Sequence, residues 1–210
     1  MKPKLIIFDL FGTLVFSVEK LKREDFFAFY QKLGIELKTE KDIKLFTSLF
    51  VQLMTQSAGW QDFSQKLLEK VIQKTDQETV NKLANFFKEN IVYQLYDDAK
   101  EITGLSYQKA ILTSAAPFLF SNLGLEKYFE IFTPRETKFL KPDPRAFLAV
   151  LEKLKIKPEE TLMVGDELER DLIPAKKLGM ETILIDRKNE IENAPIKKIN
   201  SLAELKNILV

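Results

Sequence analysis

Leu5-Ile6-Ile7-Phe8-Asp9-Leu10-Phe11-Gly12-Thr13-Leu14-Val15 opens on four consecutive apolar residues and places a carboxylate where that run ends. A short run that is apolar at every position, not at alternate ones, predicts a strand covered on both faces, as in a parallel sheet. Far along the chain, Leu162-Met163-Val164-Gly165-Asp166 repeats the pattern. Ligand crevices of open parallel sheets lie outside the carboxyl ends of the strands, so these two acids are expected to converge on one cleft. Clustered carboxylates in such a cleft bind a divalent cation or attack as nucleophiles.

Outward from the first strand, residues 16 to 97 show helical periodicity and no strand pattern, with aromatics spaced at three and four. Phe26, Phe27, Phe29, Tyr30 and Leu33 mark one helix, and Ile43, Phe46, Leu49, Phe50 and Leu53 a second. Leu67, Leu68, Val71 and Ile72 mark a third, and Val80, Leu83, Ala84, Phe86, Phe87 and Ile91 a fourth. A bundle this small needs bulky core residues, so the phenylalanines and Trp60 are read as packing. From residue 105 strand and helix alternate, which predicts right-handed crossovers and a parallel sheet. Strands are expected at Lys109 to Thr113, Ile131 and Phe132, Thr161 to Val164, Glu181 to Ile185 and, at one edge, Lys197 to Ile199. Ser114 is expected to cap a helix with Pro117 in its first turn, and Asp143 a helix beginning at Pro144. A further helix should close at Gly179, and a last one should start from Ser201. The fold class is thus α/β, a doubly wound, Rossmann-like parallel sheet with an inserted helical bundle. Residues 1–15 and 98–210 form the sheet domain and 16–97 the insertion.

Composition removes whole classes of chemistry. The 210 residues include no cysteine and no histidine, so Ser-His-Asp hydrolysis, thiol catalysis and Cys/His zinc sites are excluded. A nucleophile here is an oxygen or a lysine amine. With 32 basic and 31 acidic residues, the net charge of +1 provides no field for a nucleic-acid backbone or an anionic membrane, and neither partner is expected. Lys2 and Lys4 precede an apolar run too short for a secretory core or a membrane span, so a cytoplasmic protein is expected.

Asp9-Leu10-Phe11-Gly12-Thr13, Thr113, Lys141-Pro142-Asp143-Pro144 and Gly165-Asp166 with Asp171 resemble, in order, the four motifs of the haloacid dehalogenase (HAD) superfamily. The resemblance covers nearly the whole chain and implies a Rossmann-like core with the helical insertion as a cap. It implies that Asp9 is a nucleophile forming a covalent aspartyl ester, which needs no activating base because a carboxylate is already ionised at neutral pH. It further implies Thr113 as a hydroxyl donor to a phosphoryl oxygen and Lys141 as the neutralising cation, with Lys138 the competing lysine. Gly12, Thr13 and Ser114 would line the substrate. Asp9, Asp166, Asp171 and the backbone carbonyl of Phe11 would hold Mg²⁺, and the partner would be a small phosphorylated molecule. Asp171 has a competing reading as a cap for the helix that starts with Leu172, Ile173 and Pro174. Glu167 and Glu169 are read as solvated.

One position departs from the family pattern. Most of its phosphatases carry an aspartate two residues after the nucleophile, which protonates the leaving group; here Phe11 stands in its place. The preferred expectation is therefore a Mg²⁺-dependent phosphatase of substrates with good leaving groups. An aromatic at this position also resembles the 2-haloacid dehalogenase branch. That branch uses a cap arginine, and between Arg23 and Arg135 this sequence has none. A third reading is a catalytically weak protein that binds a phosphorylated ligand or partner.

Overall fold

The structure, a computed structural model, describes residues 2–73 and 76–209. Six strands form a parallel sheet: β1 (Leu5–Phe8), β4 (Gln108–Leu112), β5 (Glu130–Phe132), β6 (Thr161–Gly165), β7 (Glu181–Ile185) and β8 (Lys197–Ile199). Their order across the sheet is β5-β4-β1-β6-β7-β8. Numbered among themselves, these strands run 3-2-1-4-5-6, the doubly wound order in which winding reverses between β1 and β6. Phe8 pairs with Ile111 on one side and Val164 on the other, so the residues following β1 and β6 emerge side by side. All four residues of β1 are fully buried, as the unbroken apolar run requires.

Helices α5 (Asp97–Ile102), α6 (Pro134–Thr137), α7 (Pro144–Leu154), α8 (Ile173–Lys177) and α9 (Leu205–Ile208) accompany this sheet in chain order, and of these α6, α7 and α8 contact its strands. The Asp143 carboxylate accepts a hydrogen bond from the Arg145 N–H at 2.9 Å, capping α7 as expected, and Pro144 occupies its first turn. That helix buries Ala146, Phe147, Val150 and Leu151 against Leu5, Ile7, Leu112 and Met163 of the sheet. Gly179 closes the segment after α8 with φ +93°, a left-handed conformation that glycine takes without steric cost.

Two compact units divide the chain. One runs from the N-terminus to Phe16, from Gln94 to Ser114 and from Leu123 to the C-terminus; the other comprises Ser17–Tyr93 and Ala115–Asn122. The second unit holds α1 (Arg23–Lys32), α2 (Glu40–Gln56), α3 (Trp60–Val71) and α4 (Gln77–Asn90). Its core is aromatic. Phe63 and Phe87 are fully buried, their rings 5.4 Å apart, and Trp60 lies against Phe87 at 5.7 Å.

Three sequence expectations need correction. β2 (Val15–Glu19) and β3 (Ile91–Leu95) pair in a two-stranded sheet, where no strand was expected; the chain enters the helical unit through β2 and leaves it through β3. Val15-Phe16-Ser17-Val18-Glu19 carries the alternating burial of a half-exposed strand, but the helical periodicity that follows obscures so short a run. Ser114 caps no helix: the segment after β4 is a series of 3₁₀ turns, the first at Pro117–Leu119 with Ala116 at its cap position. Residues 115–122, expected with the sheet, cluster with the helical unit because Ala116, Phe118 and Leu119 join its apolar core. Among the described residues no helix is long and apolar enough to cross a membrane.

Candidate active site

β1 ends at Phe8, and the next residue, Asp9, still donates its backbone N–H to the Val164 carbonyl at 2.9 Å, so its carboxylate stands at the carboxyl edge of the sheet. The chain then reverses tightly. Leu14 and Val15 N–H groups bond the Leu10 carbonyl at 2.8 and 2.9 Å, and Gly12 N–H bonds the Val15 carbonyl at 2.8 Å. Gly12 sits at φ +80°, and a Cβ there would fall 2.1 Å from Asp166 Oδ2. The left-handed backbone favours glycine here, and the Asp166 carboxylate lies where a side chain would otherwise project. Thr13, fully buried, donates its hydroxyl to Asp166 Oδ1 at 3.1 Å.

Asp166 leaves the end of β6, the strand beside β1. A single π-helical turn, Leu168–Leu172, follows before α8. Such turns widen the helix locally and occur often at functional sites. Asp171 lies inside this turn instead of capping α8, which corrects the capping alternative; Leu172 holds the cap position. Asp171 is 1% exposed, and a Cβ on Gly165 would meet its Oδ2 at 2.5 Å, so the bare backbone of Gly165 admits the carboxylate.

Lys141 provides the cation. Its side chain is 3% exposed, and its ammonium bonds Asp9 Oδ1 and, at 2.6 Å, Asp171 Oδ1. The Ser114 hydroxyl accepts the Lys141 backbone N–H at 3.2 Å, so the end of β4 holds the lysine's segment in place. Lys138, the competing lysine, occupies the left-handed C-terminal position of α6 and donates to the Arg135 carbonyl at 2.6 Å, turned to its own helix. Thr113, 4% exposed, stands just past β4, its N–H on the Phe132 carbonyl at 3.0 Å. Phe11 is half-buried and bridges to Val15 through the backbone. Glu167 is exposed and pairs with Arg170 at 3.5 Å, and Glu169 is exposed.

Carboxylate oxygens of Asp9, Asp166 and Asp171 all lie within 4.8 Å of one another. Burial, and after it the charge of Asp9, push the Asp166 carboxyl up to about 7 and that of Asp171 to about 6. For Lys141, burial works to lower the pKa, but the charges and hydrogen bonds of Asp9 and Asp171 outweigh it and raise it. Three carboxylates thus face one buried ammonium, and excess negative charge is left in a space that suits a small, hard cation.

A model of the haloacid dehalogenase-like hydrolases matches residues 3–179, spanning every group described above. The chain belongs to this family. As a HAD-like hydrolase it is 30% identical over 132 residues to a phosphoserine phosphatase of Thermus thermophilus, covering 57% of this chain and about half, 53%, of that protein. A phosphoglycolate phosphatase of Nitrosococcus oceani is 27% identical over 227 residues, covering 99% of this chain and 97% of the relative. Among solved structures, a 2-haloacid dehalogenase from Pseudomonas syringae superposes with a TM-score of 0.70 at 18% identity, over 99% of this chain and 98% of that one, which shows the shared fold.

Sequence reasoning passed over Arg187. At the end of β7, its guanidinium donates from Nε to the Gly12 carbonyl at 3.1 Å and from Nη2 to the Thr13 carbonyl at 2.6 Å. An arginine after an apolar strand carries no motif, so only the neighbouring turn shows what it holds.

Proposed function

We propose that this HAD-like hydrolase is a Mg²⁺-dependent phosphatase of small phosphorylated substrates, acting through a covalent aspartyl phosphate on Asp9. The observation that carries the reading is the buried Lys141 ammonium shared by Asp9 and Asp171, with Asp166 alongside. It presents an ionised oxygen nucleophile that needs no histidine, beside a cation and a negatively charged pocket. Asp9, Asp166 and Asp171, with the Phe11 backbone carbonyl, would hold the ion. When bound, Mg²⁺ supplies positive charge that offsets the repulsion between a carboxylate and an anionic phosphoryl group. The phosphatase names of the two sequence relatives point the same way.

Lys141 holds one Asp9 oxygen, and the other attacks phosphorus. As the P–O bond to Asp9 forms, the bond to the leaving oxygen breaks and the leaving group takes its electron pair. Water then attacks phosphorus, the aspartyl P–O bond breaks with its electron pair returning to Asp9, and phosphate departs carrying both protons of the water. Thr113 would donate to a phosphoryl oxygen, Gly12 and Thr13 shape the turn beside it, and Ser114 places Lys141 through its backbone N–H. Phe11 cannot move a proton, so the leaving group must depart unaided; such help is worth about 10²- to 10⁴-fold. Turnover of acetyl phosphate is therefore expected to exceed that of an alkyl phosphate by about 10²-fold or more, read as phosphate release with and without Mg²⁺. Equal rates on the two would contradict the role given to Phe11, and equal rates with chelator would contradict Mg²⁺.

The same Phe11 favours a second reading, 2-haloacid dehalogenation, in which Asp9 attacks carbon and expels halide. Arg23, the cap arginine it would need, is exposed with its guanidinium 5.0 Å above the Phe27 ring of its own helix. Chloride release from 2-chloropropionate in chelator would establish that reading, whereas Mg²⁺-dependent binding of a phosphorylated ligand without covalent labelling of Asp9 would establish a binding protein.

Electrostatics of the cluster predict an unusual pH response. Because the folded carboxyls of Asp166 and Asp171 titrate near 7 and 6, well above the ordinary aspartate value of about 3.9, their contribution to stability is fully present below about pH 4 and is lost as pH rises through 6 and 7. In chelator at pH 7.5, Asp166→Asn is expected to melt about 4 °C above wild type, with the gap closing at pH 5. Mg²⁺ should raise the melting temperature of wild type at pH 7.5 and not that of the variant. Calorimetry that finds the two proteins equal at both pH values would contradict the charge excess.

A further inference from the structure

We propose that Arg187 is a positioning residue for the acidic cluster, clamping the Gly12–Thr13 turn so that Asp166 is held in place for a divalent cation. This inference rests on the reading of the cluster as a Mg²⁺ site. The clamp spends four guanidinium hydrogens. Besides the bonds to the Gly12 and Thr13 carbonyls, Nη1 and Nη2 form a fork on the Asp98 carboxylate at 2.9 and 3.0 Å, and the guanidinium stacks 3.6 Å above the Tyr96 ring. A planar fork can satisfy two successive carbonyls and a carboxylate together, which a lysine ammonium cannot do.

Both ends of the clamp are anchored. Asp98 Oδ2 also accepts the Ser201 hydroxyl at 2.7 Å and the Leu202 N–H at 2.9 Å. On the other side, Asp186 next to Arg187 has a carboxylate that accepts the Glu190 and Ile191 N–H groups at 3.0 and 2.9 Å and the Lys198 ammonium at 3.2 Å. Asn200 Nδ2 bonds the Asp186 carbonyl at 2.6 Å. Arg187 therefore leaves a rigid loop and reaches a partner that is itself fixed.

The turn it holds touches Asp166 twice. Gly12 presents backbone where a Cβ would lie 2.1 Å from Oδ2, and Thr13 donates its hydroxyl to Oδ1. Peptide planes gripped at their carbonyl oxygens cannot rotate, so the Thr13 hydroxyl and the Gly12 wall stay aimed at the carboxylate. Charges in the cluster repel one another, and without the clamp Asp166 would swing away from Asp9. Groups that orient metal ligands in this way are commonly worth about 10- to 100-fold in metal affinity.

Calorimetric titration of Mn²⁺ into chelator-treated protein tests this with no turnover involved. Arg187→Lys is expected to weaken Mn²⁺ binding at least tenfold, and Asp98→Asn, which keeps the arginine but loosens its anchor, to weaken it by less. Thr13→Val should lose about as much as Arg187→Lys, and the double variant no more than either, because both changes release the same carboxylate. An unchanged dissociation constant in folded Arg187→Lys, with only a lower melting temperature, would show a purely structural role and overturn the inference. So would additive losses in the double variant. Should Arg187→Lys fail to fold, wild-type affinity in Asp98→Asn would overturn it alone. Absence of Mn²⁺ binding by wild type would instead overturn the Mg²⁺ reading itself and this inference with it.

Discussion

Asp9→Asn will reduce turnover by about 10⁴-fold or more while the protein remains folded. Asparagine puts a weakly nucleophilic amide oxygen where the carboxylate stood, and the neighbouring carboxylates are engaged elsewhere, Asp166 by the Thr13 hydroxyl and Asp171 by the Lys141 ammonium. The fold tolerates the change because Lys141 keeps Asp171 at 2.6 Å, and because Asp9 is itself one of the charges that raise the Asp166 and Asp171 carboxyls. Asparagine in its place relieves that repulsion. Phosphate release under saturating acetyl phosphate measures the loss, and mass spectrometry after a quench should find a phosphoryl adduct on wild type and none on the variant. Residual turnover within tenfold of wild type would remove Asp9 from the chemistry.

Lys141→Met carries the second large effect, and here stability and activity fall together. A methionine fills the space but leaves two carboxylates facing each other without their cation; removal of one partner from a buried pair costs about 3–5 kcal/mol. The loss depends on pH in a determined sense. Lys141 has a raised pKa in the folded protein, so its own contribution is fully present throughout the range from pH 5 to 7.5. Asp171, in contrast, already titrates near 6 with the lysine present, and without it the carboxyl climbs further and takes up a proton in mild acid. Urea denaturation should therefore show the full loss at pH 7.5 and a smaller one at pH 5. At neutral pH, turnover should fall by about 10²- to 10³-fold from loss of the charge that steadies the transferring group. Equal destabilisation at both pH values would mean that Asp171 keeps its charge, and that the pair is not coupled as the distances imply.

How far residues alone led toward this site follows from which interactions are local. An apolar run buried on both faces announces itself in consecutive residues, so β1, β6 and the acids that end them are visible without coordinates. The cap of α7 by Asp143 is equally local, because donor and acceptor are two residues apart. Short elements were the ones missed. β2 and β3 have five residues each and gain their stability from pairing with each other across more than seventy positions of sequence, a contact that no window of residues contains. Ser114 illustrates the same limit at one side chain: its sequence neighbours favour a cap, whereas its hydroxyl serves the backbone of Lys141, twenty-seven residues away.

Determined by the sequence alone were the α/β class, the aromatic packing of the helical insertion, the exclusion of thiol and imidazole chemistry, and the family, which the match to residues 3–179 established. Tertiary structure decided which lysine meets Asp9, that Asp171 turns inward from a π-helical turn, and that Arg187 grips the turn after the nucleophile. Each of these depends on charges brought together out of water from distant segments. Periodicity and capping record how a segment treats its own backbone and one buried face. Compensation of a buried charge is a property of the assembled cleft, and it is written in no single stretch of the chain.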